Sequence, residues 1–256
     1  MEKIQPMSLG SALLHFLIPA LLVTLNIYLI MAFFVTLGLP IFVNYFIIYA
    51  TLPMLLLLLA SIIAYQREGN EMTWMDFTQR FRLKRMTGRD WLWTILLFLI
   101  MFLSVGILSF TSIIIASFLP PPTFWPDELN PLKRSDSMGT IPTEFVGQPL
   151  PGNWWVVIVL FISLIIATFG EELWWRGYIL PRQELEHGEK TWIIHGILWG
   201  LFHFFLPWNL IALLPGTITL SYVAQKLKNT WPAIIAHGLA NGLMVMVVVI
   251  LGIIGA

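Results

Sequence analysis

Residues 4–66 read IQPMSLGSALLHFLIPALLVTLNIYLIMAFFVTLGLPIFVNYFIIYATLPMLLLLLASIIAYQ and contain no Lys, Arg, Asp or Glu. A helix crosses the hydrocarbon core of a bilayer with about 20 apolar residues, so this run is long enough for two crossings. The Gly-Leu-Pro at residues 38–40 is the expected break, because proline disfavours helix at the residue before it. The stretch therefore predicts membrane spans near residues 10–37 and 41–65.

The rest of the chain repeats this pattern. Of its 256 residues, 58% are hydrophobic and only 11% are charged, whereas a soluble domain has about 25% charged residues. Further uncharged runs of 36, 26, 35 and 28 residues follow, and they predict spans near residues 91–119, 154–180, 191–206 and 209–225, with a last span from residue 231. We predict an all-α, polytopic transmembrane bundle of about seven spans.

Two segments of this plan carry more specific expectations. The sixth span, near residues 209–225, contains Pro215 and Gly216, so we expect it to be kinked or partly unwound. The segment from Trp74 to Arg85 mixes aromatic and basic residues, which fits either an interfacial amphipathic helix or an ordinary basic loop.

The charges exclude some functions and suggest an orientation. Basic and acidic residues number 14 each and there is no cysteine, so there is no electrostatic case for nucleic acid as a partner and no disulfide, thiol nucleophile or Cys-ligated metal. With a cytoplasmic N-terminus, eleven basic residues from Lys3 onward fall inside, while Lys133 and Arg134 fall outside. Because cytoplasmic loops carry the excess of Lys and Arg, we expect an integral multi-pass protein of a prokaryotic plasma membrane in this orientation.

A few ionisable or polar groups interrupt the spans. They are Glu171, Glu172 and Arg176 in the fourth span, His203 in the fifth, and His237 with Asn241 in the seventh. Such groups are costly in a membrane and usually functional.

The spacing of these groups suggests different roles for the two glutamates. Glu172 and Arg176 are four residues apart and can neutralise each other on one helical face. Glu171 points about 100° away and has no such partner on its helix. We therefore expect Glu172 and Arg176 to be structural and Glu171 to be chemical.

Three of these groups are predicted to lie at a similar depth in the membrane. Glu171, His203 and His237 lie 11, 13 and 9 residues from the basic residues expected at the cytoplasmic ends of their spans, which corresponds to roughly 13–20 Å along a helix. The sequence thus predicts one site in the cytoplasmic half of the bilayer. His195 is expected at the interface, and His15 has no evident partner.

Three short motifs carry a family resemblance: Glu171-Glu172-x-x-x-Arg176, Trp199-x-x-x-His203 and His237-x-x-x-Asn241. They resemble the signature of the CPBP (ABI) family of intramembrane proteases, which includes the type II CAAX prenyl endopeptidases. The second motif usually begins with Phe, and Trp199 departs from it. The resemblance covers about residues 154–245.

The resemblance divides the chain into three parts. Residues 154–245 would form the CPBP-like catalytic core, and residues 246–256 would complete the last span. Residues 1–153 would supply the N-terminal spans, the basic cytoplasmic loop and a Pro-rich extracytoplasmic loop.

The resemblance implies an endopeptidase that needs no covalent nucleophile. Glu171 would be the general base on a water positioned with His203. His237 and Asn241 would donate to the oxyanion, and Glu172 with Arg176 would fix the site.

A zinc-dependent mechanism stays open as an alternative, in which Glu171, His203 and His237 are the ligands of the zinc ion. The version without a cofactor is preferred, because the amide of Asn241 suits an oxyanion hole better than a zinc site. In either version the expected partners are the lipid bilayer and a membrane-associated peptide or protein, including lipidated, CAAX-type substrates.

Two alternatives come from other functional classes. Intramembrane Glu and His residues also serve proton-coupled transporters and channels, and a kinked sixth span would suit these. A non-catalytic membrane scaffold or immunity protein could also keep these motifs.

Overall fold

The computed structural model describes residues 4–133 and 141–255. Lys3 and Arg134, which were used to predict the orientation, lie outside the described residues. The uncharged runs form long helices. The helices are α1 (Leu9–Thr36), α2 (Ile41–Arg67), α3 (Trp74–Arg80), α4 (Gly88–Phe118), α5 (Trp155–Glu172), α6 (Leu180–His187), α7 (Thr191–Phe202), α8 (Leu210–Leu227) and α9 (Trp231–Ile254). The predicted all-α polytopic bundle is confirmed.

Six helical stretches in the described residues are long and apolar enough to cross a membrane. One of them, Trp155–Phe205, has 51 residues, which as one helix would measure about 75 Å, more than twice a hydrocarbon core of about 30 Å. Gly188 interrupts it, with φ 65° and ψ −140°, a backbone conformation that glycine adopts without steric cost. The stretch contains the predicted fourth and fifth spans, which reconciles six stretches with about seven spans.

Local signals set the ends of the helices. Thr87 and Asp90 form a capping box at the start of α4, so this helix begins at Gly88, three residues before the predicted boundary at residue 91. Gly38, with φ 77°, makes the turn that separates α1 from α2. Pro232 occupies the first turn of α9, where its missing N–H costs nothing.

The irregular helical segments lie elsewhere than expected. Helix α8 is continuous through Pro215, so the partial unwinding expected for the sixth span is not seen. Its packing between α4 and α7, with Gly216 close to Met101, holds the helix together. Instead, π-helical segments occur within α1 (Asn26–Met31) and α2 (Asn44–Thr51), and immediately after α5 (Leu173–Ile179).

Two asparagines join α1 to α2 at their π segments. The amide nitrogen of Asn26 donates to the carbonyl oxygen of Ile48 at 2.5 Å, and that of Asn44 donates to the carbonyl oxygen of Met31 at 3.0 Å. A π segment disturbs the regular ladder of backbone hydrogen bonds, and its carbonyls need partners where water is absent. Each asparagine therefore supplies a partner to the neighbouring helix.

Residues 141–153, which precede α5, fold back onto the ends of the helices. They include a two-stranded antiparallel hairpin of β1 (Glu144–Phe145) and β2 (Gln148–Pro149). Phe145 and Val146 share a buried cluster with Phe42 of α2 and Val249 of α9, so this hairpin is part of the packed protein.

The basic loop between α2 and α4 is docked onto the fourth span. Arg80, which is 4% exposed, pairs with Glu68 at 2.5 Å and donates to the Gly177 carbonyl oxygen at 2.9 Å. Phe77 packs against the core and Phe81 lies within it, whereas Trp74 and its neighbour Met75 are exposed. The segment therefore contains a short helix whose phenylalanines face the protein.

Candidate functional site

Glu171 and Glu172 are the last residues of α5, directly before the π segment. Gly170 precedes them and faces α2 so closely that a Cβ atom there would collide with the carbonyl group of Met54. Only glycine permits this approach without displacing a helix. The two carboxylates are therefore held at a tight contact between α5 and α2.

A chain of polar groups links the fourth and seventh spans. The Nη1 of Arg176 donates to the Oε1 of Glu172 at 3.1 Å, and the Nδ1 of His237 donates to the same oxygen at 2.8 Å. The Nε2 of His237 meets the Nδ2 of Asn241 at 2.8 Å. Glu172, Arg176 and His237 are at most 3% exposed. Asn241, the last group of this hydrogen-bonded series, is exposed.

Glu171 and His203 form a second group, joined by Trp199. The indole N–H of Trp199 donates to the Oε2 of Glu171 at 2.9 Å, and the Nδ1 of His203 donates to the Trp199 carbonyl oxygen at 2.8 Å. The neutral imidazole therefore presents Nε2 as an acceptor. Neither the Oε1 of Glu171 nor the Nε2 of His203 has a partner among the described residues, and neither is fully enclosed.

Trp199 is recognised from the sequence as part of a motif, but the sequence does not predict its contact with Glu171. Besides its two hydrogen bonds, its ring lies 3.5 Å from the Arg176 guanidinium carbon, and its centroid is 5.4 Å from that of His203 and 5.3 Å from that of His237. The available signal was the departure from Phe at this motif position, because an indole adds a hydrogen-bond donor that a phenyl ring lacks.

The structure places His195 and His15, the two further histidines of the predicted spans, outside this cluster. His195, expected at the interface, is completely enclosed by protein, and its Nδ1 lies 2.5 Å from the Oε1 of Gln183. The Nδ1 of His15 donates to the carbonyl oxygen of Ser11 at 2.7 Å, and its ring lies 5.8 Å from that of Trp174.

The observed arrangement of Glu171, His203 and His237 does not match that of zinc ligands. Within residues 4–133 and 141–255, no group of three or more Asp, Glu or His side chains is placed to hold a metal ion. His237 has both ring nitrogens in hydrogen bonds, and one oxygen of Glu171 accepts from Trp199. A zinc ion would have to displace these contacts.

Fold and site together define an integral, multi-pass membrane protein that encloses a carboxylate, guanidinium, imidazole and amide cluster within its helices. Such clusters belong to membrane-embedded enzymes and transporters.

The comparison with family models favours the enzymes. Residues 153–243 match the family model described as type II CAAX prenyl endopeptidase Rce1-like. The match covers 91 of the 256 residues and supports a relation of this segment to the CPBP/CAAX protease family. Residues 153–243 are therefore similar to an intramembrane peptidase, and the apolar helices show an integral, multi-pass membrane protein. No curated protein and no solved structure matches it.

Proposed function

We propose that this protein hydrolyses a peptide bond of a membrane-associated substrate, with Glu171 as general base on a water held with His203. One observation carries the proposal. Glu171 and His203 are each anchored to Trp199 through one atom, while the Oε1 of Glu171 and the Nε2 of His203 have no hydrogen-bond partner among the described residues. A water bound between a carboxylate oxygen and an imidazole nitrogen is oriented and polarised for attack.

The reaction then needs only these groups. The water gives a proton to the Oε1 of Glu171 while its oxygen adds to the carbonyl carbon of the scissile bond. The tetrahedral intermediate collapses, the C–N bond breaks, and Glu171 passes the proton to the leaving nitrogen. Glu171 returns to its ionised form, and no covalent intermediate with the protein is required.

Asn241 and His237 would stabilise the oxyanion. In the observed arrangement Asn241 gives one amide hydrogen to the Nε2 of His237, and its second amide hydrogen is available to the oxyanion. For His237 to donate as well, the Asn241 amide must turn away and Nε2 must carry a proton. A preorganised donor of this kind contributes about 3–4 kcal/mol to transition-state stabilisation.

Glu172 and Arg176 would orient the oxyanion donors rather than react. Their ion pair is fully buried, and Glu172 also fixes the Nδ1 of His237. The imidazole is thereby held in one orientation, as a carboxylate partner does for many functional histidines.

We further propose that the substrate approaches from the cytoplasmic side and that lipidated CAAX-type peptides are among the substrates. The distribution of basic residues supports a cytoplasmic N-terminus, and in that orientation His237 lies six residues from the cytoplasmic start of α9 at Trp231.

Cleavage of a fluorogenic, prenylated CAAX-type peptide by the purified protein in liposomes tests the function. We expect Glu171→Gln to abolish cleavage, because the amide cannot take the proton. Glu186→Gln is the matched control, since Glu186 is exposed on α6, and it should cleave like the wild type. Full activity of folded Glu171→Gln would contradict the mechanism, and an inactive wild type would favour a transporter or scaffold.

The same assay separates the two chemical versions. With Glu171 and His203 activating water directly, a strong chelator leaves the cleavage rate unchanged. Loss of activity in chelator, with recovery on adding zinc alone, would replace this version by the zinc one.

A further inference from the structure

We propose that Trp199 is a positioning residue that holds Glu171 and His203 together and decides which oxygen of Glu171 faces the water. This inference rests on the proposed function, since it assigns a role within that reaction. It concerns the position at which the chain departs from the family motif, where the residue is usually Phe.

The indole N–H is what distinguishes this residue from Phe. Its hydrogen bond of 2.9 Å to Oε2 fixes the rotation of the Glu171 carboxylate, so that Oε1 is left without a partner among the described residues. A carboxylate without this bond would sample other rotations, and only some of them would present an oxygen to the water.

The backbone of the same residue holds the second group. Because the Trp199 carbonyl oxygen accepts from the Nδ1 of His203, the imidazole is fixed in the tautomer whose Nε2 accepts a hydrogen bond. The side chain of one residue therefore orients the base, and its carbonyl orients the histidine.

The ring also keeps the two carboxylates in separate networks. The Arg176 guanidinium lies 3.5 Å from the ring centroid of Trp199, within reach of a cation–π interaction, and is bonded to Glu172. Arg176 thus neutralises Glu172, while the indole N–H serves Glu171.

Trp199→Phe isolates the role of the N–H. A phenyl ring keeps an aromatic face for Arg176 and leaves the backbone bond to His203 intact, but cannot donate to Glu171. A hydrogen bond to a charged group is strong enough that its loss should lower kcat about tenfold or more. KM should stay within about twofold, because Trp199 orients the base and does not bind the peptide.

Trp175→Phe is the matched control. Trp175 is also fully buried, but its indole nitrogen has no hydrogen-bond partner among the described residues. The substitution removes the same ring volume and an unbonded N–H, so the folded variant should keep kcat and KM within about twofold of the wild type.

A second variant separates hydrogen bonding from packing. Benzothienylalanine at position 199 replaces the indole N–H by sulfur and keeps nearly the full ring volume, so it remains informative if Trp199→Phe fails to fold. We expect it to reproduce the loss of kcat. A role in packing alone predicts a wild-type kcat for this analogue.

The hydrogen bond can also be observed without activity. The indole ¹H–¹⁵N resonance that disappears in Trp199→Phe should move upfield in Glu171→Ala, because its acceptor is lost.

These readouts separate failure of the inference from failure of the proposed function. A wild-type kcat in the analogue, or an unmoved resonance, would overturn the inference while inactive Glu171→Gln still supported the function. An inactive wild-type protein with the expected resonance shift would overturn the function and keep the contact.

Discussion

Removing the buried cation should destabilise the protein far more than removing an exposed one. In Arg176→Met the guanidinium is lost from a site where both side chains of the pair with Glu172 are 0% exposed. Among the described residues, Glu172 then keeps His237 as its one remaining partner. Breaking a buried ion pair from one side costs about 3–5 kcal/mol, because a charge is left buried without compensation.

Lys133→Met is the matched control for this experiment. Lys133 pairs with Asp127 at 2.8 Å, but these side chains are 53% and 66% exposed. Water solvates both charges, so the pair contributes about 0–1 kcal/mol at most. The two variants remove the same kind of charge with similar side-chain volume, and they differ in burial.

Thermal unfolding of the purified protein in one detergent measures the difference. For a chain of this size about 1 kcal/mol corresponds to roughly 2–4 °C, so Arg176→Met should lower the Tm by about 6–20 °C and Lys133→Met by at most a few degrees. The double variant Glu172→Gln with Arg176→Met should recover part of the loss, since no unpaired carboxylate remains. Equal Tm values for the two single variants would refute this account of the site.

Two further substitutions test contacts around the site. Gly170→Ala should lower stability by about 1–3 kcal/mol, because its Cβ would collide with Met54 and overpack the helix contact. Gly106→Ala, with nothing within 4 Å, should leave the Tm unchanged or raise it. Arg80→Met should speed protease cleavage of the loop between α2 and α4, although Glu68 keeps one of its two guanidinium partners; an unchanged cleavage rate would contradict the docking role.

The gross architecture could be predicted from sequence because the membrane imposes it. Uncharged runs of sufficient length leave few alternatives to transmembrane helices, since backbone polar groups must be satisfied without water. The turn at Gly38 and the helix start at Pro232 follow from backbone preferences of single residues. The motif spacing also brought Glu172 and Arg176 onto one face, where they form an ion pair.

The remaining features depend on contacts between distant segments. Pro215 weakens a helix locally, but packing of α8 between its neighbours keeps it continuous. The π segments of α1 and α2 are supported by asparagine side chains from the neighbouring helix, which no local pattern reveals. The bond from Trp199 to Glu171 joins residues 28 positions apart, so it emerges only from the tertiary arrangement.

The paired asparagines of α1 and α2 restrict how these helices can move. Sliding one helix along the other by a single turn would break both amide contacts at once, and in a lipid environment no water would replace them. Asn26 and Asn44 are each at most 6% exposed, which adds the cost of an unpaired buried amide. The two amide contacts thus fix the register of the N-terminal pair of helices and oppose sliding of one helix along the other.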